Sequence, residues 1–171
     1  MSVAALIREL EQESATTRRV LERVPNDKLT WKPHPKSMSL GELAMHVASS
    51  PGAIAGWALQ DVVDFGTGGG KPPEPASVQD ILSAHDESAV KTREALTKIG
   101  DEGMHAPWKA IAGGATMFEM PKAALVRSIV MNHTYHHRGQ LSVYLRLLDV
   151  PVPSIYGPSA DEQPRMAQAQ A

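Results

Sequence analysis

The stretch Asn132-His133-Thr134-Tyr135-His136-His137-Arg138-Gly139-Gln140 decides how this chain reads. It lies inside a proline-free, largely apolar segment running from Leu125 to Leu148. His133 and His137 stand four residues apart, so on a helix they lie one above the other on one face. With Leu125 at zero and an advance of about 100° per residue, Ile129 and Leu147 fall near 40°, Val126 and Tyr144 near 100°, and Val130 and Leu148 near 140°. His133 falls near 80° and His137 near 120°, in the middle of that apolar stripe, by the same advance of about 100° per residue. Arg127, Ser128, Arg138, Ser142 and Arg146 fall on the opposite side and read as the solvent face.

Two imidazoles among leucines and valines present four ring nitrogens that must be satisfied. Hydrogen-bonded core histidines are one solution and a shared metal ion is the other. His136 lies at the edge of the stripe and reads as a residue that supports a ligand or lies in an interface, rather than as a ligand itself. The zinc-protease motif H-E-x-x-H is excluded, because Thr134, Tyr135 and His136 occupy the intervening positions.

Working outward, three more helices can be read, and no convincing strand. The first spans about Val3 to Arg23 and stops at Pro25-Asn26-Asp27. The connector Leu29-Thr30-Trp31-Lys32-Pro33-His34-Pro35 is too proline-rich for helix. The second helix starts at a Ser39-x-x-Glu42 capping box, with Met38 and Leu43 placed as a hydrophobic staple. It is expected to reach Asp64, bent or broken at Ser50-Pro51-Gly52. Gly68-Gly69-Gly70-Lys71 fails the phosphate-loop pattern at both ends and reads as a flexible linker. The third helix runs from Ser77, with Asp80 three residues on, to Gly100. A loop containing Gly113-Gly114 leads to Pro121, near the first turn of the fourth helix. That helix ends near Asp149, before Pro151 and Pro153. The pattern predicts an all-α four-helix bundle. It is expected to form one domain over residues 1–162, with a flexible, disordered tail at 163–171.

Bulk properties agree. The chain has 171 residues, 42% hydrophobic and 21% charged, with a formal net charge of −2. That is an ordinary globular composition with no basic field for nucleic acid. The absence of cysteine removes disulfides, thiolate ligands and a cysteine nucleophile together, leaving His, Asp and Glu as metal ligands. The N-terminus becomes charged too early for a signal peptide, and no apolar run approaches the roughly 20 residues of a membrane span. A cytoplasmic location without membrane attachment is expected.

A third ligand must come from another helix. His46 follows the capping box by one turn and shares a side with Leu43, Val47, Ser50, Ile54 and Trp57, so it points toward the core. A hydrogen-bonded core role remains its alternative. His85 shares a face with Ile81, Ala89, Thr92 and Leu96 and is a candidate pocket residue or fourth ligand. Gln140 lies on the histidine face and is placed to orient a ligand or substrate. Three imidazoles would leave coordination positions open, as in a catalytic metal site.

The connector Trp31-Lys32-Pro33, the helix start Ser39-Leu40-Gly41-Glu42-Leu43-Ala44-Met45-His46, the block His133 to Gln140 and the tail Ile155-Tyr156-Gly157-Pro158-Ser159-Ala160-Asp161-Glu162 together resemble the DinB/YfiT-like superfamily of metalloenzymes. The resemblance covers about residues 5 to 162. It implies an up-down-down-up bundle, often a homodimer, with one divalent ion, usually zinc or nickel, held at the positions of His46, His133 and His137. It also implies a small-molecule substrate and, by analogy with characterised relatives, a thiol-dependent S-transferase using a low-molecular-weight thiol cosubstrate. A metal-dependent hydrolase with a metal-bound hydroxide, and a non-catalytic metal-binding bundle, are the alternative readings.

Overall fold

The computed structural model describes residues 2–67 and 74–163. The glycine-rich run at 68–71 and most of the predicted tail lie outside the described residues. Four long helices dominate: α1 (Val3–Leu21), α2 (Leu40–Ala58), α3 (Val78–Gly103) and α4, which covers residues 122–147. Three short strands accompany them: β1 (Val62–Asp64), β2 (Pro107–Ala112) and β3 (Ala115–Pro121). The all-α expectation is therefore corrected to a mainly helical fold carrying a small mixed sheet.

The helix starts follow from local chemistry. Glu42 N–H donates to Ser39 Oγ at 3.1 Å and Ser39 N–H donates to the Glu42 carboxylate at 2.6 Å, which closes the capping box of α2. Ser77 and Asp80 build the same box at α3. The connector before α2 is braced rather than loose. Leu40 and Gly41 donate backbone bonds to the Trp31 and Leu29 carbonyls, and the Trp31 ring stands edge-on to Tyr144 at 5.7 Å.

Pro51 does not break α2, which continues through it to Ala58. The expected extension to Asp64 is replaced by a turn and the short strand β1. Gly52 explains why the helix holds its course beside α3: a Cβ there would stand 2.8 Å from the Ser88 backbone, and its N–H donates to Ser88 Oγ at 2.7 Å. Gly100 has a positive φ of 65° and kinks the end of α3, close to the predicted stop.

Ion pairs and apolar contacts fix the helix directions. Val3 N–H meets Asp101, Glu11 pairs with Arg93, and Arg18 with Asp86, so α1 and α3 are antiparallel. Glu9 pairs with Arg127 and Glu13 with Arg138, so α1 and α4 are parallel. On α2, Leu43 clusters with Leu141 and Leu145, and Ile54 with Leu125 and Val126, which makes α2 antiparallel to α4. The helices thus run up, down, down, up.

The sheet closes one end of the bundle. β1 pairs parallel to β2, and β2 pairs antiparallel to β3. Gly113 and Gly114, both at positive φ, form the two-residue turn between β2 and β3. Trp108 on β2 is fully buried among Ile54, Leu96, Leu125 and Val126, and its indole N–H donates to the Trp57 carbonyl at 3.0 Å.

The fourth helix carries the largest departure from the wheel. Residues Val126–Asn132 form a π-helical stretch between the turn Lys122–Leu125 and the α-helix His133–Leu147. One extra residue in a turn rotates everything after it back by about 100°. Thr134, Arg138, Leu141 and Leu145 thereby become the buried positions, and Arg138, expected on the solvent face, is 1% exposed. The histidines move from the centre of the stripe to its edge.

Candidate metal centre

His46, near the end of the second turn of α2, and His133 and His137, on the α-helical part of α4, come together although 87 residues separate the first two. His133 Nε2 lies 3.3 Å from His46 Nε2 and 3.0 Å from His137 Nε2. Ring centroids are 4.4 to 5.0 Å apart, each pair nearly perpendicular. Among the described residues this is the group of three or more metal-ligating side chains whose donor atoms converge, all within 4.8 Å. All three residues are partly exposed, so the cluster opens on one side to solvent.

The electrostatics suit a cation. Burial, followed by the charges His137, His46 and His136 would carry, lowers the pKa of His133 to about 4. Burial also lowers His46, reinforced by the neighbouring His137, and it lowers His137 against the opposing hydrogen bond to Gln140, with His136 assisting. At neutral pH the three rings are therefore uncharged, the form that ligates metals. His137 Nδ1–H donates to Gln140 Oε1 at 2.7 Å, which leaves the lone pair on Nε2, facing the cluster. Two nitrogens bound tetrahedrally to one zinc at about 2.0–2.1 Å stand about 3.3–3.4 Å apart. The observed spacings of 3.0 and 3.3 Å are close to that. The residues present fit a divalent ion.

Not every candidate belongs to this group. His136 is exposed, with its ring 4.9 Å from that of His137. Gln140 is exposed and acts through His137. His85 is not among the converging donors. It is buried between α3 and α1, with Nε2 at 3.1 Å from Ser14 Oγ and 3.2 Å from the Ser14 carbonyl. It lines a partly open cavity of about 40 Å3, together with Val47, Pro51, Thr92, Val130 and Thr134. A water needs about 10–15 Å3 by that measure, so the cavity has room for solvent.

The wheel also missed the group beside the cluster. Arg138 donates to the Glu13 carboxylate at 2.7 Å, to Thr17 Oγ1 at 3.0 Å and to Tyr156 Oη at 2.6 Å. Its guanidinium stacks on Tyr135 and Tyr156. Tyr156 belongs to the C-terminal segment, which Glu162 and Asp161 fasten to Arg19, Arg23 and Arg146.

A helical bundle with a half-open three-histidine cluster defines a candidate metalloprotein class, and comparison makes the class specific. The chain belongs to the DinB family, whose model matches residues 1–166. It is 26% identical over 153 residues to the uncharacterized protein YrdA of Bacillus subtilis (strain 168), covering 89% of this chain and 86% of that protein. Its fold matches the crystal structure of a DinB-like protein from Bacillus cereus ATCC 10987, with a TM-score of 0.70 at 22% identity, covering 91% of this chain and 98% of that one. It also matches a DinB-like protein, YjoA, from Bacillus subtilis, with a TM-score of 0.68 at 18% identity, covering 94% and 99% of the two chains.

Proposed function

We propose that this protein is a metal-dependent enzyme that holds one divalent ion, zinc or nickel, through Nε2 of His46, His133 and His137. The observation that carries this reading is the convergence of three neutral ring nitrogens, His133 Nε2 standing from each of the other two at close to the spacing of a tetrahedral site. When bound, the ion would supply Lewis-acid chemistry, lowering the pKa of a coordinated thiol or water.

The reaction we propose is thiol-dependent S-transfer to a small electrophile. The three uncharged ligands leave the ion its full positive charge, which favours holding an external thiolate in a protein with no cysteine of its own. Among the described residues no Asp or Glu joins the cluster, so the general base that a hydrolase would want is not supplied there. Gln140 fixes the ring of His137, and the open side of the cluster admits the substrates. No helix among the described residues is long and apolar enough to cross a membrane, and a cytoplasmic homodimer is the assembly proposed.

Elemental analysis of the purified protein beside His46→Ala, His133→Ala and His137→Ala tests the site. About one zinc or nickel per chain, lost in each variant, is expected. A folded protein that takes up neither metal after reconstitution would overturn it. Metal-dependent conjugation across a panel of thiols and electrophiles then tests the reaction, and conjugation that survives removal of the metal would refute it.

A further inference from the structure

Gln140 accounts for the outward nitrogen of His137, but the corresponding nitrogen of His133 has no protein partner. Among the described residues, His133 Nδ1 and Ser50 Oγ are the two buried side-chain polar atoms left unpaired. A buried hydroxyl without a partner costs about 1–3 kcal/mol, so two such atoms, one on each of two helices that meet at the cluster, call for an explanation.

The helix geometry brings these two to the same level. Ser50 stands one turn beyond His46 on α2, at about 40° from it around the axis. It thus faces α4 between His46, which touches His133, and Ile54, which clusters with Val126 and Val130. Because α2 and α4 are antiparallel, moving one turn forward from His46 means moving back along α4 from His133. Side chains of a helix tilt toward its N-terminus, so the His133 ring also leans back over the Ile129–Val130 turn. Ser50 is 8% exposed, and its hydroxyl has no hydrogen-bond partner among the described residues.

We propose that Ser50 is a positioning residue for His133: its Oγ accepts the Nδ1–H hydrogen bond, directly after a χ1 rotation or through one water, when Nε2 is on the metal. This rests on the metal reading above and deepens it. A ligating imidazole whose other N–H is bonded keeps one tautomer and one ring orientation, and loss of such a partner weakens metal binding by about 10–100-fold. Ser50 would do for His133 what Gln140 does for His137.

The test is zinc affinity by chelator competition on the full-length wild type, Ser50→Ala and Ser49→Ala. It is read beside 1H–15N spectra of the histidine side chains in the zinc-loaded proteins and urea unfolding of the metal-free ones. The expected result is a 10–100-fold weaker affinity in Ser50→Ala, with a shifted, faster-exchanging His133 Nδ1–H. Its metal-free stability should be no lower than that of the wild type, and Ser49→Ala should be unchanged. Wild-type affinity with an unmoved Nδ1–H in Ser50→Ala would overturn the role of Ser50 alone. A clear loss of metal-free stability in Ser50→Ala would overturn it too, by showing that the hydroxyl serves the fold. Failure of the wild type to bind zinc would overturn both readings together.

Discussion

His137 and Arg138 are neighbours in sequence and opposites in chemistry. Arg138 is fully buried, and its guanidinium is matched by a carboxylate, a hydroxyl, a backbone carbonyl, a phenol and two ring faces. His137 sits a step round the helix, half exposed, with one nitrogen bonded to Gln140 and the other aimed at two more imidazoles. The first region is saturated: each polar atom has its partner, and a ligand could add nothing. The second is unsaturated, since three uncharged ring nitrogens converge on one another and His137 already spends its one proton on Gln140. Saturation marks the parts that hold the bundle together, while convergence without satisfaction marks the part built to receive something. The two regions should therefore respond to opposite perturbations.

Removing one partner from the saturated region should have the largest effect. Glu13→Ala leaves the Arg138 cation buried without its carboxylate, and breaking a buried pair from one side costs about 3–5 kcal/mol. Thr17, the Glu13 carbonyl and the two tyrosines remain, which puts the expected loss toward the lower end of that range. Urea unfolding of the metal-free protein measures it. A loss under about 1 kcal/mol would place the pair with ordinary surface ion pairs and dissolve the contrast. Zinc uptake by the folded variant should be unchanged.

The next effect belongs to the unsaturated region. Zinc at a hundredfold excess over its Kd should raise the stability of the wild type by about 2.7 kcal/mol, by mass action on the folded state. His133→Ala should lose that increment and keep the metal-free stability within about 1 kcal/mol, since its ring has only imidazole partners to lose. Thermal unfolding with and without metal gives both numbers. An equal increment in His133→Ala would move the ion elsewhere.

Which parts of this contrast are legible in the sequence follows from how each is encoded. The helix starts are local: Ser39 with Glu42, and Ser77 with Asp80, are four-residue signals that the structure reproduces. The His133–His137 pair needs only the helix period, and His46 needs only its distance from a capping box, so all three were visible as candidates. The sheet was not. Residues 107–112 are rich in alanine and poor in β-branched side chains, and the strands gain from docking Trp108 in the bundle end rather than from propensity. Gly113-Gly114, read only as a loop, was in fact the signal of a two-residue hairpin. The π turn has no compositional mark at all. Its rotation of the later part of α4 is what turned Arg138 from a supposed surface residue into the centre of a buried network.

The smallest expected effect lies where the saturated network reaches solvent. Glu9 accepts two bonds from Arg127, at 2.7 and 2.8 Å, and a third from Tyr135 Oη at 3.2 Å. The Arg127 hydrogen bond, outweighing a modest opposing effect of burial, holds the Glu9 carboxyl below its ordinary 4.5, with the Arg127 charge and Tyr135 assisting. A carboxyl lowered in the folded state contributes stability that is fully present above the unfolded value and is lost as pH falls through the folded one. The side chains are 36% and 33% exposed, so screening limits the contribution to about 1 kcal/mol or less. Wild type and Glu9→Gln, unfolded in urea from pH 7 to pH 3, should therefore differ by a small constant above about 4.5 that shrinks below it. Taking the difference cancels every other carboxylate that titrates in the same window. Added salt should reduce it at neutral pH, as it would not for the buried Arg138 pair. A difference that persists undiminished at pH 3 would show that Glu9 holds α1 to α4 by packing, and that the saturated region ends at Arg138.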